Sequence, residues 1–267
     1  MDKTITIPPH NIAYREKGSG IPTLLLHGFA EDSTVWDNQA DILSTACRLI
    51  IPDLPGSGRS SALTAPISIE ELATVVKGLL DRLNIDKCIL IGHSMGGYIT
   101  LAFAALYPER LHAFGLFHST AYPDSEEKKT TRRKAIEFIR SNGSVPFIRQ
   151  STPNLFSAFT REHRPELIDA AITKYSNFAP GSLIGYYEAM IARPDRTAVL
   201  EEFARPVLFI MGEDDNIIPL QQALEQCYLP SISHLHIVKN SGHEAMLEDP
   251  GKSNRILLDF LNFISRI

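Results

Sequence analysis

Short apolar runs alternate with longer amphipathic segments along this chain, and this alternation restricts the possible folds more than any other feature of the sequence. Four of the runs are apolar at consecutive positions: LLL at 24–26, LII at 49–51, CILI at 88–91 and VLFIM at 207–211. Continuous apolarity is typical of strands buried on both faces, as in a parallel sheet covered by helices. The sequence therefore predicts an α/β fold with a mostly parallel sheet.

The same pattern places the individual elements. We expect strands in the segments 4–7, 12–16, 22–28, 47–53, 87–94, 112–119, 206–212 and 234–240. Amphipathic periodicity predicts helices over 32–45, 68–83, 95–107, 219–228 and 250–265. Pro219 and Pro250 suit a first helical position, where the missing N–H costs nothing.

One long segment interrupts the alternation. Residues 121–205 contain no convincing strand but several pieces with helical periodicity. The first of these has acidic residues followed by basic ones, which complements a helix dipole, and we expect Asp124 and Glu127 to form a capping box. The chain is thus predicted to consist of a sheet domain, 1–120 and 206–267, with a helical insertion at 121–205.

Composition excludes several classes of function. The net charge of -5 provides no electrostatic basis for binding nucleic acid or an anionic membrane. No run of about 18 apolar residues exists, so no membrane span is expected. The three cysteines are scattered and match neither a disulfide framework nor a metal site. We expect a cytoplasmic protein without metal or cofactor, and its oligomeric state stays open.

The strongest chemical signal is Gly92-His93-Ser94-Met95-Gly96, a G-x-S-x-G sequence. It lies between a strand-like run and a helix-like run, which is the context of a nucleophile elbow. Small residues are needed on both sides because the sharp turn leaves little space around the serine. The turn exposes the Ser94 hydroxyl, so Ser94 is the candidate nucleophile.

A serine hydroxyl needs a base. In a chain with the order serine, acid, histidine, the base is one of the last three of the nine histidines: His234, His236 or His243. His234 and His236 alternate within a strand-like run and are expected to be packing or surface residues. His243 lies in a loop after that strand, where sheet proteins of this type place their sites, and is the better candidate.

Two backbone amides are candidates for an oxyanion hole. His27-Gly28 end a buried strand and place the Phe29 N–H to face Ser94, and the second donor is the Met95 N–H, directly after the nucleophile. The segment DLPGSGRS, 53–60, lacks the remaining residues of a phosphate or dinucleotide loop. We interpret it as a compact turn in which Asp53 hydrogen-bonds the backbone.

In this order the segments HGF, DLPGSGRS, GHSMGG, GEDDNIIP and SGHEAMLEDP resemble those of the α/β-hydrolase fold superfamily. The resemblance covers about 1–119 and 206–267. It implies an eight-stranded, mostly parallel sheet flanked by helices, with an antiparallel second strand and an all-helical cap inserted after strand six. It also implies that Ser94 is the nucleophile, His243 the base, and Phe29 and Met95 the oxyanion donors.

The acid of the triad is expected among three consecutive acidic residues, Glu213, Asp214 and Asp215, which follow the run VLFIMG. The family spacing has a glycine, two residues, the aspartate, and a proline four positions later. Gly212 and Pro219 fit this spacing around Asp215, so Asp215 is the predicted acid. Asp214, one position away, is the main alternative, and Asp124 is a more distant one, since some relatives place the acid after strand six.

The predicted reaction is acyl transfer to water from a small to medium, largely apolar carboxylic ester or thioester. We expect Trp36, Phe147, Phe156 and Tyr187 to line the substrate pocket, although at these spacings such residues are more often plain packing residues. The resemblance leaves open a cofactor-free perhydrolase and a carbon–carbon bond hydrolase with the same triad. A small-molecule receptor that does not turn over is an alternative of another class.

Overall fold

The fold is built on one sheet of eight strands, as expected from the sequence. The computed structural model describes residues 2–267. The strand order is β1-β2-β4-β3-β5-β6-β7-β8. β2 pairs antiparallel with its neighbours β1 and β4. All other neighbouring strands of the sheet, including β3, pair in parallel. The strands are β1 Asp2–Ile7, β2 His10–Lys17, β3 Pro22–Leu26, β4 Arg48–Pro52, β5 Cys88–His93, β6 Leu111–Phe117, β7 Val207–Gly212 and β8 Ser233–Val238.

Helices cover both faces of this sheet. Those of the sheet domain are α1 Asp37–Leu43, α2 Ile69–Arg82, α3 Met95–Leu106, α10 Leu220–Leu224, α11 Ala245–Glu248 and α12 Pro250–Ile264. Between β6 and β7 lie α4 Glu126–Asn142, α5 Ser144–Ser151, α6 Ala158–His163, α7 Pro165–Tyr175, α8 Pro180–Ala192 and α9 Thr197–Glu202. Among residues 2–267, no helix combines the length and apolar character that crossing a membrane requires.

The continuous apolar runs are explained by two separate cores. Along β3, Leu24 and Leu26 point to the core that contains α2 and α3, whereas Leu25 points to the opposite core, with α12. β5 repeats the arrangement, with Leu90 on one face and Ile89 on the other. Because successive side chains of a strand point to opposite faces, a strand covered on both sides must be apolar at every position.

Several boundaries differ from the sequence prediction. The segment 32–45 divides into a 3-10 turn, Ser33–Trp36, followed by α1, and the segment 219–228 forms only the short α10. The predicted capping box at the start of α4 is wrong. Ser125 is the N-cap residue and accepts a hydrogen bond from the Lys128 N–H.

Asp124 has another role from the one predicted for it. Its carboxylate is buried and pairs with the guanidinium groups of Arg132 and Arg193, at 2.6 and 3.0 Å. Both arginines belong to the inserted helical segment, so this ion pair holds that segment together. Asp53, as expected, accepts backbone N–H groups, those of Ser33 and Arg59 at 2.8 and 3.0 Å.

Candidate active site

Ser94 lies in the turn between β5 and α3, in a backbone conformation that few residues other than glycine adopt. Its φ is 50° and its ψ -114°. A Cβ atom on Gly92 would lie 2.1 Å from the backbone of Gly96, and one on Gly96 would lie 2.7 Å from the backbone oxygens of Leu26 and His27. Such contacts are impossible for a real side chain, which explains why the elbow needs glycine on both sides of Ser94. The turn places Ser94 on the wall of a cavity.

The two backbone N–H groups predicted to form the oxyanion hole are those of Met95 and Phe29. Met95 is the first residue of α3, so its N–H has no partner within the helix. Phe29 follows the end of β3, and its ring lines the same cavity as Ser94. Within residues 2–267, neither amide has a hydrogen-bond acceptor. The positive end of the α3 dipole adds to the preference for negative charge at this point.

His243 lies in the loop between β8 and α11 and lines the cavity together with Ser94. Its Nδ1 lies 2.8 Å from Asp215 Oδ2. A carboxylate can only accept, so Nδ1 carries the proton and Nε2 keeps a lone pair. The backbone N–H of His243 donates to the Leu155 carbonyl at 2.6 Å, and this bond connects the loop to the inserted helical segment.

Asp215 is the only buried member of the three consecutive acidic residues, since Glu213 and Asp214 are exposed. Its Oδ1 accepts the N–H groups of Ile217 and Ile218 at 2.8 and 2.9 Å, and its Oδ2 faces His243. Burial alone would raise the pKa of Asp215, but the neighbouring histidines and these hydrogen bonds hold it well below its usual value. The carboxylate is therefore ionised throughout the neutral pH range.

A second histidine, His118, shares the same carboxylate. It follows β6 with φ 49°, is almost fully buried, and places Nδ1 3.1 Å from Asp215 Oδ2. Burial lowers the pKa of His118 to about 4, so the ring is neutral. Its Nδ1 lies between the Asp215 carboxylate and the Gly212 N–H group, which is 3.1 Å away. His118 was not among the predicted site residues, and the only signal for it in the sequence is its place near the end of the predicted strand 112–119.

A further buried cluster was also missed: Glu31, His93 and Glu244, whose side-chain ligand atoms lie within 4.8 Å of one another. Glu31 Oε2 accepts the Gly28 N–H at 2.6 Å and lies 3.0 Å from His93 Nδ1. His93 Nε2 donates to the His243 carbonyl at 2.9 Å. Both His93 nitrogens thus face acceptors, and the cluster is a hydrogen-bonded network in which His93 offers no lone pair to a metal ion.

The cavity has a volume of about 260 Å³ and lies between the sheet domain and the inserted helices. Three of the four residues predicted to line it do so: Phe147, Phe156 and Tyr187. The rings of Tyr187 and Phe29 stack with their centroids 4.2 Å apart. The lining is mainly apolar and aromatic, which suits an apolar substrate with a few directed polar contacts.

The prediction for Trp36 is wrong. Its side chain has no solvent exposure and belongs to the core on the α12 face of the sheet. The ring packs edge-on against Phe117 with the centroids 5.4 Å apart. The 3-10 turn Ser33–Trp36 directs the indole into this core and away from the cavity.

The chain is similar to known proteins over most of its length. A model of the alpha/beta hydrolase fold matches residues 22–135. A hydrolase of 2-hydroxy-6-oxononadienedioate and 2-hydroxy-6-oxononatrienedioate from Paraburkholderia phymatum is 30% identical, over 94% of this chain and 90% of its own length. The chain belongs to the α/β-hydrolase family. The match of the family model ends inside α4, but the relative's alignment covers nearly the whole chain, including the inserted helices.

Two further members of this α/β-hydrolase family are similar over nearly their whole length. A 2-hydroxy-6-oxo-6-phenylhexa-2,4-dienoate hydrolase from Comamonas testosteroni is 29% identical, over 94% of this chain and 91% of its own. The structure of a thermophilic esterase from Thermogutta terrifontis, solved with malate bound, has a TM-score of 0.93 and 30% identity, with 99% of both chains covered. These relatives are hydrolases, and the protein described in this structure is a hydrolase of the same family.

Proposed function

We propose that this hydrolase cleaves carboxylic esters, or thioesters, of small to medium and largely apolar substrates through an acyl-enzyme on Ser94. One observation supports this most strongly. Ser94, His243 and Phe29 line one cavity, and Asp215 holds His243 by a hydrogen bond of 2.8 Å. The N–H groups of Phe29 and of Met95, which follows Ser94, have no acceptor among residues 2–267. These are the parts that acyl transfer by a serine requires: an activated nucleophile, an oriented base and an oxyanion hole.

In the proposed mechanism His243 Nε2 takes the proton from the Ser94 hydroxyl as its oxygen attacks the carbonyl carbon. The N–H groups of Phe29 and Met95 bind the oxyanion of the tetrahedral intermediate. The protonated His243 then gives its proton to the leaving group, and Asp215 stabilises the imidazolium in the meantime. A water activated by His243 hydrolyses the acyl-enzyme and restores the hydroxyl.

The cavity supports an apolar substrate of limited size. Its volume of about 260 Å³ and its aromatic walls suit a short acyl or alcohol chain better than a long lipid. Of its basic residues, Arg132 is already paired with Asp124. The esterase from Thermogutta terrifontis, which is similar over 99% of both chains, adds weight to this choice.

Carbon–carbon bond hydrolysis is the second candidate, favoured by the relatives from Paraburkholderia phymatum and Comamonas testosteroni. The side chain of Lys128 adds a structural argument. It lines the cavity, donates to the Ile217 carbonyl at 2.9 Å, and has no carboxylate within 4.0 Å among residues 2–267. A cation in that position suits an anionic substrate such as a dienoate.

The decisive experiment compares the wild type with Ser94→Ala on 4-nitrophenyl butyrate and on 2-hydroxy-6-oxo-6-phenylhexa-2,4-dienoate. We expect the wild type to favour the ester in kcat/KM and Ser94→Ala to lose turnover while it keeps the melting temperature. Ester hydrolysis that is unchanged in Ser94→Ala would refute the proposal. A higher kcat/KM on the dienoate than on the ester would select carbon–carbon bond hydrolysis. Tight binding of a small molecule without turnover would indicate a receptor. Halogenation with acetate and peroxide that is faster than ester hydrolysis would indicate a perhydrolase.

A further inference from the structure

A second carboxylate–histidine pair, Glu31 and His93, lies beside the pair formed by Asp215 and His243, since the rings of His93 and His243 have their centroids 4.9 Å apart. Glu31 belongs to the loop after β3, His93 is the last residue of β5, and the loop after β8 supplies the His243 carbonyl. Glu31 and His93 are both almost fully buried. The proposed mechanism gives neither side chain a role.

The hydrogen bonds of this pair connect the three chain segments that carry the proposed reaction. Glu31 accepts the N–H of Gly28, the residue before the oxyanion donor Phe29, at 2.6 Å. Its partner His93 directly precedes Ser94 and donates from Nε2 to the carbonyl of His243 itself at 2.9 Å. One carboxylate thus fixes, through two groups, the segments that follow β3, β5 and β8.

We propose that Glu31 is a positioning residue, which through Gly28 and His93 holds the Phe29 N–H and His243 in place around Ser94. This role of Glu31 rests on the proposed function, because its effect is measured as the rate of the reaction at Ser94. Active groups held about 1 Å from their best positions cost about 100-fold in rate. Glu31 acts on the donor and the base, so its loss is expected to lower kcat rather than weaken substrate binding.

The charge state of the cluster explains why a carboxylate serves this purpose. A neutral imidazole has one N–H, whereas His93 has an acceptor at each nitrogen, so an imidazolium satisfies both. Burial lowers the pKa of His93, but Glu31 outweighs this effect and raises it. Burial likewise raises the pKa of Glu31, and His93 with the Gly28 N–H brings it down to about 2. The pair is therefore an ion pair at neutral pH.

Glu244 completes the charge balance of this cluster. Burial, together with Glu31 and more distantly Glu248 and Asp215, raises the pKa of Glu244 well above its ordinary value. It therefore stays protonated next to the ionised Glu31, with a carboxyl oxygen within 4.8 Å of one of Glu31. The cluster holds one cation, one anion and one neutral acid, so it adds no net charge near the oxyanion site.

The test compares Glu31→Ala with Glu31→Gln on 4-nitrophenyl butyrate. Alanine leaves the Gly28 N–H and the Nδ1–H of His93 without acceptors, and we expect kcat to fall about 100-fold with KM within about threefold of the wild type. Glutamine keeps the length of the side chain and an acceptor oxygen, and we expect it to recover kcat to within about tenfold. A purely structural role would show no such rescue at equal melting temperature.

Asp53→Asn is the matched control. Asp53 is a buried carboxylate that accepts the N–H of Ser33, in the same loop as Glu31, but it contacts neither Gly28 nor His93. We expect Asp53→Asn to lower the melting temperature and leave kcat within about twofold. If Glu31→Ala does not fold, Glu31→Asp replaces it, and a tenfold loss of kcat at unchanged KM is expected.

Three results would overturn the inference: a kcat of Glu31→Ala within threefold of the wild type, a loss confined to KM, or no difference between Asp53→Asn and Glu31→Ala in kcat. The proposed function fails separately, when Ser94→Ala keeps its turnover. If Ser94→Ala is inactive and Glu31→Ala is fully active, only the role of Glu31 is refuted.

Discussion

Asp215→Asn is the substitution for which the structure gives the sharpest expectation. The carboxylate accepts three well-defined hydrogen bonds: Oδ1 takes the N–H groups of Ile217 and Ile218, and Oδ2 takes the Nδ1–H of His243. An asparagine keeps the two backbone bonds if its oxygen occupies the Oδ1 position. Its NH₂ group then faces the Nδ1–H group of His243, so donor meets donor. His243 can respond only by moving its proton to Nε2, where it no longer accepts a proton from Ser94.

The expected loss of kcat is large because His243 with its proton on Nε2 cannot act as the base for Ser94. A comparable asparagine substitution in a Ser-His-Asp enzyme lowers kcat by about 10⁴, which corresponds to about 5 kcal/mol of transition-state stabilisation. Asp214→Asn is the matched control: its side chain is exposed, and we expect kcat to change less than about twofold. The assay is kcat on 4-nitrophenyl butyrate, with melting temperatures for both variants. A loss below tenfold in Asp215→Asn, or equal losses in the two, would refute the assignment.

Three other substitutions test the cavity and the buried network. Folding raises the pKa of Glu244 above its ordinary 4.5, so the contribution of this group to stability is full below that pH and declines as the pH rises. Urea titrations between about pH 5 and 8 should therefore show that Glu244→Gln loses less stability than the wild type as the pH rises. Parallel pH dependences of the two proteins would contradict this. Phe147→Ala enlarges the cavity and should raise the ratio of kcat/KM for octanoate over butyrate esters by about tenfold, whereas an unchanged ratio would place the acyl chain elsewhere. Trp36→Phe should lower the free energy of unfolding in urea by about 1–2 kcal/mol and leave that ratio within about twofold, and a changed preference would return Trp36 to the pocket.

Much of the fold was predictable because its determinants are local. A strand covered on both faces must be apolar at every position, and the runs around Leu24 and Leu90 show this directly. The elbow was predictable for a similar reason. The lack of space at Gly92 and Gly96 is a property of a few consecutive residues, and it constrains their identity strongly.

The network around the triad was not predictable, because it depends on which strand ends are neighbours. His118 reaches Asp215 only because β6 lies beside β7, and Glu31 reaches His93 only because β3 lies beside β5. Neither strand order nor distance is visible in one sequence. A buried acid such as Glu31 therefore has the same appearance in the sequence as an exposed one.

The two wrong predictions, the N-cap residue of α4 and the position of Trp36, also depend on tertiary contacts. Asp124 and Ser125 are both good N-cap residues, but Asp124 pairs with Arg132 of α4 and with Arg193, which is distant in sequence, and Ser125 takes the N-cap position. Trp36 lies close to the predicted oxyanion loop in sequence, but a single turn directs it into the opposite core. Periodicity shows that a residue is buried, and the tertiary fold decides what it packs against.

The acyl-enzyme on Ser94 is the central claim, and covalent trapping tests it most directly. The protein is incubated with a 4-nitrophenyl alkylphosphonate, which the proposed nucleophile attacks, and is analysed by intact-mass and peptide mass spectrometry. We expect one adduct per chain, mapped to Ser94, absent from Ser94→Ala and formed about 10³-fold or more slowly in Asp215→Asn. An adduct on another residue, or an unlabelled wild type that still hydrolyses the ester, would contradict the account.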